Sequence, residues 1–187
     1  MMTALLLAES GADLAQSYTI PESLAAEFDR IQAENGSDAD LKIGETVTLE
    51  SLLYACLLPS GNDAASAIAC YLGGGDLQAF FDRMNQRAAE LGCENTNFVC
   101  AHGLYGLEYG NRTTAYDMFL IARAFRENET LMEVACQTGY WMPLTNLHTV
   151  PESADAPAGA AYYITTTNVM QRPDQELYRS YIRGIKT

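Results

Sequence analysis

The sequence predicts an α/β protein of the α+β type, dominated by helices. Three observations lead there. The middle of the chain is cut into helix-length apolar segments by Pro59, Gly73-Gly74-Gly75 and Gly92. Residues 77–91 carry a clean helical period. Strand signals are thin and mostly late, as in 162–167 and 181–187. With 187 residues, 48% of them hydrophobic and 19% charged, the chain is globular and long enough for one domain with a sizeable core.

The elements follow in order. Residues 2–9 read as an apolar helix stopped by Ser10-Gly11. Tyr18-Thr19-Ile20-Pro21 is a short extended piece, and a helix opens at Pro21 and runs to about Ile31. A loop at 35–38 and a turn at Gly44 lead to a short extended segment ending at Thr48. Thr48 caps a helix over about 49–58 that Pro59 stops; Ser51 three residues on leaves the capping box incomplete. A second helix opens near Asn62-Asp63 and ends at Leu72, and Asp76 caps the next. There Leu77, Phe80, Phe81, Met84, Ala88 and Leu91 share one face. Asn97–Cys100 reads as extended, followed by a glycine-rich loop over 102–110. Thr113 or Thr114 caps a helix over about 115–126, and a short helix covers about 129–136. Residues 142–161, with three prolines, read as loop.

Charge and composition exclude several functions. Acids outnumber bases 24 to 11, giving a net charge of −13. Nucleic-acid binding and direct adhesion to anionic lipid both need a basic face. The five cysteines contain no C-x-x-C pair, and Cys56 and Cys70 sit in apolar helical segments, so reduced core thiols are expected. The two histidines, His102 and His148, have no carboxylate at metal-ligand spacing, so neither a metal nor a cofactor is expected. The apolar start lacks the basic region of a signal peptide and reads as a buried helix.

Chemistry concentrates at Ser60-Gly61-Asn62 and at Lys186-Thr187. Taken locally, the first is a helix–turn–helix corner, with Gly61 left-handed and Asn62 or Asp63 capping the next helix. The same rigid corner can hold a hydroxyl and a carboxamide side by side over a cleft. Lys186 at a strand edge can attract a carboxylate, with the Thr187 hydroxyl beside it as a donor. His102-Gly103 reads first as a tight turn. Asn111-Arg112-Thr113 and Asn128-Glu129-Thr130 match the glycosylation pattern, which three residues often do by chance.

Read together, the segments resemble the D-alanyl-D-alanine carboxypeptidases, low-molecular-weight penicillin-binding proteins of the serine peptidase type. The match runs through Met2-Thr3-Ala4, then Leu41 to Thr48, then Leu52 to Ala65 with Ser60-Gly61-Asn62-Asp63. It continues through Met84-Asn85, Asn95 to Phe98, Ala101 to Leu104, Thr114 to Asp117, and Gly184-Ile185-Lys186-Thr187. Met2-Thr3-Ala4 resembles the stretch that follows the family's S-x-x-K nucleophile motif; S-x-N and K-T-G are the other two elements.

The resemblance implies a penicillin-binding-protein/β-lactamase-like transpeptidase fold, here mostly the helical lobe with a partial antiparallel sheet. It implies acyl transfer on peptidoglycan stem peptides ending in D-Ala-D-Ala, β-lactams as mimics of that end, and an extracytoplasmic setting with or without a membrane anchor. Ser60, Asn62 and Lys186 take catalytic roles by this resemblance, and Gly61 and Thr187 bind substrate. No S-x-x-K occurs in the sequence. The expectation is therefore a domain over 1–187 truncated at both ends, with the nucleophile just before Met1 and the glycine of K-T-G after Thr187. Such a piece is expected to be inactive, since loss of the nucleophile costs on the order of a millionfold in turnover, and marginally stable, since strands without neighbours leave backbone groups unpaired. Two alternatives stand beside it. A class A β-lactamase more often has S-D-N and an E-x-x-L-N loop, and here the middle residue is Gly61 and that loop pattern is absent. A non-catalytic peptidoglycan-binding module is the other.

Overall fold

A computed structural model describes residues 1–104 and 110–184. Its centre is helix α1, Met2–Glu9, in which Met2 through Leu7 are all buried. A helix apolar on every side must be wrapped by others, and α1 packs against α3 (Leu49–Leu57), α4 (Asn62–Leu72), α5 (Leu77–Glu90), α6 (Ala115–Glu127) and α7 (Glu129–Ala135). Helix α4 is its partner in burial, with every residue from Asn62 to Cys70 inside. Small side chains at Ala64, Ala65, Ser66, Ala67 and Ala69 let neighbouring helices come close. One apolar core joins them, filled by Leu5, Leu7, Leu52, Leu53, Ile68, Phe80 and Phe125.

The predicted caps are in place. Thr48 accepts the Ser51 N–H at 3.1 Å, and its hydroxyl also donates to Ser51 Oγ at 2.9 Å, so the N-cap bond forms without the reciprocal bond of a full capping box. Asp76 accepts the N–H groups of Gln78 and Ala79 ahead of α5. Thr114, not Thr113, caps α6 through the Asp117 N–H. Helix α7 has a cap the sequence reading did not name: Asn128 accepts from Leu131 N, which gives one of the two glycosylation matches a structural use. The apolar face of α5 is inward as predicted, with Phe80, Met84 and Ala88 buried. The helix expected from Pro21 begins as a 3-10 turn, Glu22–Leu24, and continues as α2, Ala25–Ala33.

Among the described residues the sheet is partial and antiparallel, in two separate ribbons. Strand β1 (Ser17–Thr19) pairs with β2 (Thr46–Thr48), Tyr18 facing Val47. Strand β3 (Gly139–Pro143) pairs with β4 (Ala160–Thr165), with a bulge after Met142. The second ribbon docks on α3 by a Tyr54–Tyr140 stack at 3.9 Å, and Tyr162 donates to the Ala39 carbonyl at 2.7 Å.

Three expectations need correction. Strand β3 occupies Gly139–Pro143, ahead of and overlapping the segment read as loop; Tyr140-Trp141 carried its signal, and only pairing to distant β4 completes it. Asn97–Cys100 is not a strand but holds a single bridge, Asn97 to Arg112. Residues 181–184 form no strand. Lys186 and Thr187, and most of the loop 102–110, lie outside the described residues. Cys56, Cys70, Cys93 and Cys100 are buried. Among the described residues no helix is long and apolar enough to cross a membrane.

Candidate active site

The α3–α4 corner is tighter than the sequence reading drew it. Ser60, not Gly61, is the left-handed residue, at φ 65°. Gly61 has φ −59°, a value open to any residue. Glycine is needed there for a different reason: a Cβ would stand 2.7 Å from Asp63 Oδ1 and 2.9 Å from the Ala55 carbonyl. The Gly61 N–H donates to that carbonyl at 3.0 Å and closes α3. A non-glycine residue at positive φ costs about 1–3 kcal/mol and persists only where its surroundings hold it.

Asp63 supplies much of that hold. Its carboxylate accepts the Ala39 N–H on both oxygens at 3.1 and 2.9 Å, Leu41 N–H at 3.1 Å and Ala64 N–H at 2.8 Å. Burial pushes its carboxyl up to about 6, against the pull of those three backbone donors. Asn62 lies one residue earlier and does not cap α4. Its backbone N–H and Nδ2 both donate to the Ser37 carbonyl, at 2.8 and 2.9 Å. Gly36 lets this loop approach, since a Cβ there would meet Asn62 Nδ2 at 2.9 Å. Loop 36–41 is thus clamped to the corner from two sides.

The corner opens on a cleft of about 580 Å³. One wall carries Ser60, Gly61 and Asn62, with Ser37 beside them; the other carries Phe98, Ala101 and His102; Met1 and Thr3, at the start of α1, line it too. The far wall is pinned by polar side chains. Asn85 on α5 binds both backbone groups of Phe98, accepting at 2.6 Å and donating at 2.8 Å. Asn111 accepts from Val99 and Cys100 N–H groups and donates to the His102 carbonyl at 2.9 Å, so the second glycosylation match is also a structural residue. Asp117 accepts from Asn95 N–H and the Thr96 hydroxyl. The Thr3 hydroxyl donates to the Ala101 carbonyl, tying the wall to α1.

His102 is more than a turn residue. It is buried and faces the cleft, its Nε2 lies 2.8 Å from Glu27 Oε1, and Glu27 is paired in turn with Arg30. Seventy-five positions separate the two partners, so no local pattern announces the pair. Of the five predicted site residues the structure brings together Ser60, Gly61 and Asn62; Lys186 and Thr187 lie outside the described residues.

The architecture has solved counterparts. A variant of the Streptomyces K15 DD-transpeptidase superposes with a TM-score of 0.78 at 30% identity, covering all of this chain and 67% of that one. This is the penicillin-binding-protein type of α+β fold. The family model for D-alanyl-D-alanine carboxypeptidase, Peptidase_S11, matches residues 1–142, and the chain belongs to that family. The D-alanyl-D-alanine carboxypeptidase of Streptomyces sp. strain K15 is 34% identical over 146 residues, which is 75% of this chain and 48% of that protein. DacF of Bacillus subtilis is 36% identical over 96 residues, 51% of this chain and 24% of that one. The chain therefore spans about half the length, or less, of these curated relatives.

Proposed function

We propose that this chain is part of a serine-type D-Ala-D-Ala carboxypeptidase that works outside the cytoplasm on peptidoglycan stem peptides and is acylated by β-lactams. The observation that carries the reading is the shared cleft: Ser60 and Asn62 face the same 580 Å³ space as Met1 and Thr3. A nucleophile on the turn leading into α1 would attack a carbonyl held there. Its hydroxyl adds to the penultimate D-alanine carbonyl, the peptide bond breaks, and D-alanine leaves after gaining a proton. The Ser60 hydroxyl relays that proton to the leaving amine. The Asn62 amide holds the peptide carbonyl, within bonding reach of the nucleophile motif's lysine. Gly61 contributes backbone to the wall on which the substrate lies. Lys186 attracts the terminal carboxylate, and Thr187 donates to it. Water then frees the shortened peptide. The 187 residues contain no S-x-x-K, and by this reading they do not catalyse acyl transfer by themselves.

The test is release of D-alanine from a synthetic peptide ending in D-Ala-D-Ala by the full-length gene product. Ser60→Ala and Asn62→Ala are each expected to lower kcat/KM by about 10²-fold or more. Unchanged kinetics in both would remove the corner from the mechanism.

A further inference from the structure

Outside the cleft lining, the fold gathers ligating groups that the sequence scatters. His148 sits in the loop between β3 and β4 and is only 6% exposed. Its Nδ1 is 2.7 Å from Oε1 of Glu45, a buried carboxylate. Glu45 is itself fixed by Lys42 N–H at 2.9 Å and the Thr145 hydroxyl at 2.8 Å. A buried carboxylate on one imidazole nitrogen sets the tautomer and aims the other nitrogen's lone pair outward. That nitrogen, Nε2, meets Asp40 Oδ2 at 3.1 Å and Lys42 Nζ at 2.9 Å. Glu152 completes the group, since ligand atoms of Asp40, His148 and Glu152 all lie within 4.8 Å of one another.

The Lys42 ammonium sits among these acceptors, 2.9 Å from His148 Nε2 and 3.8 Å from Asp40 Oδ2. The Lys42 side chain is 47% exposed and free to swing out. The backbone holds Asp40 in position. It adopts φ 58°, and the N–H groups on either side, of Ala39 and Leu41, are both bound by buried Asp63. Glu152 is anchored by its N–H to the Ala161 carbonyl at 2.8 Å while its carboxylate stays exposed.

We propose that Asp40, His148 and Glu152 form a three-ligand divalent-metal site, with Glu45 as the carboxylate behind the imidazole, and that zinc is its metal. One nitrogen and two carboxylate oxygens with a fourth, open position suit zinc. Tetrahedral bonds of about 2.0–2.2 Å place ligand atoms about 3.3 Å apart. Asp40 and His148 already stand at 3.1 Å, and the exposed Glu152 has the freedom to close the rest. The metal would replace the Lys42 ammonium and cross-link the 144–152 loop to loop 36–41, the loop that holds Asn62 in the cleft. The sequence spacing hid this site because Asp40 stands 108 positions from His148.

The test is zinc binding to the full-length protein at pH 8, read by competition with a chromophoric chelator. One equivalent is expected. Asp40→Asn and Glu152→Gln, both at exposed side chains, are each expected to weaken binding at least tenfold, while Lys42→Met leaves it equal or tighter. Absence of binding up to about 100 µM free zinc would overturn the proposal. So would binding that neither carboxylate substitution weakens, which would place the metal on the thiols instead.

Discussion

Replacing Asp63 by alanine tests how the corner is held. The substitution strips the acceptor from three N–H groups, on Ala39, Leu41 and Ala64, residues 3%, 6% and 0% exposed. Each buried donor left unpaired costs about 1–3 kcal/mol, so the three together cost about 6 kcal/mol. An opposing term reduces this. Burial raises the carboxyl from 3.8 to about 6, and at pH 7 that penalty on the ionised form is about 3 kcal/mol, which alanine removes. The net expected loss at pH 7 is about 3 kcal/mol. The sign with pH is fixed by the direction of the shift. A folded-state value above the unfolded one gives a contribution fully present below the unfolded value and lost as pH rises through the folded value. The wild-type advantage over Asp63→Ala therefore grows between pH 7 and pH 5, by about 1 kcal/mol. Urea denaturation of both full-length proteins at the two pH values measures it. A loss under about 1 kcal/mol at pH 7, or an advantage that shrinks on acidification, would refute the argument.

Other outcomes follow from the same geometry. Ser60→Gly relieves the left-handed strain at φ 65° and is expected to be more stable than Ser60→Ala by about 1 kcal/mol, though both lose the hydroxyl; equal denaturation midpoints would contradict this. Leu5→Ala removes a fully buried side chain at the centre of α1 and is expected to cost about 2–5 kcal/mol in chemical denaturation. A cost under about 1 kcal/mol would mean that α1 is not the hub of the core.

The helices were legible because their information is local. Capping residues at Thr48, Asp76 and Thr114 and the apolar face of α5 lie within a few positions of what they specify. The corner was legible in place but not in mechanism. A glycine between serine and asparagine invites a left-handed reading, yet Gly61 is required by the Ala55 carbonyl and Asp63, and the strain falls on Ser60. Long-range partners left no trace in the pattern. Nothing near Glu27 points to His102, and nothing near Glu45 points to His148. Strand β3 is a similar case, since a five-residue aromatic segment becomes a strand only when β4 lies beside it. Several motif residues that carry the family resemblance prove to be pins: Glu45, Asp63, Asn85 and Asp117 each bind backbone N–H groups of a distant or neighbouring loop.

The central claim is that the Ser60–Asn62 corner faces a nucleophile placed at the start of α1. Intact mass after benzylpenicillin treatment tests it most directly, on the full-length gene product and on the 187-residue chain. One penicilloyl adduct on the full-length protein, on a serine upstream of Met1, and none on the shorter chain is the predicted result. No adduct on a folded full-length protein, or an adduct that maps within residues 1–187, would contradict the account.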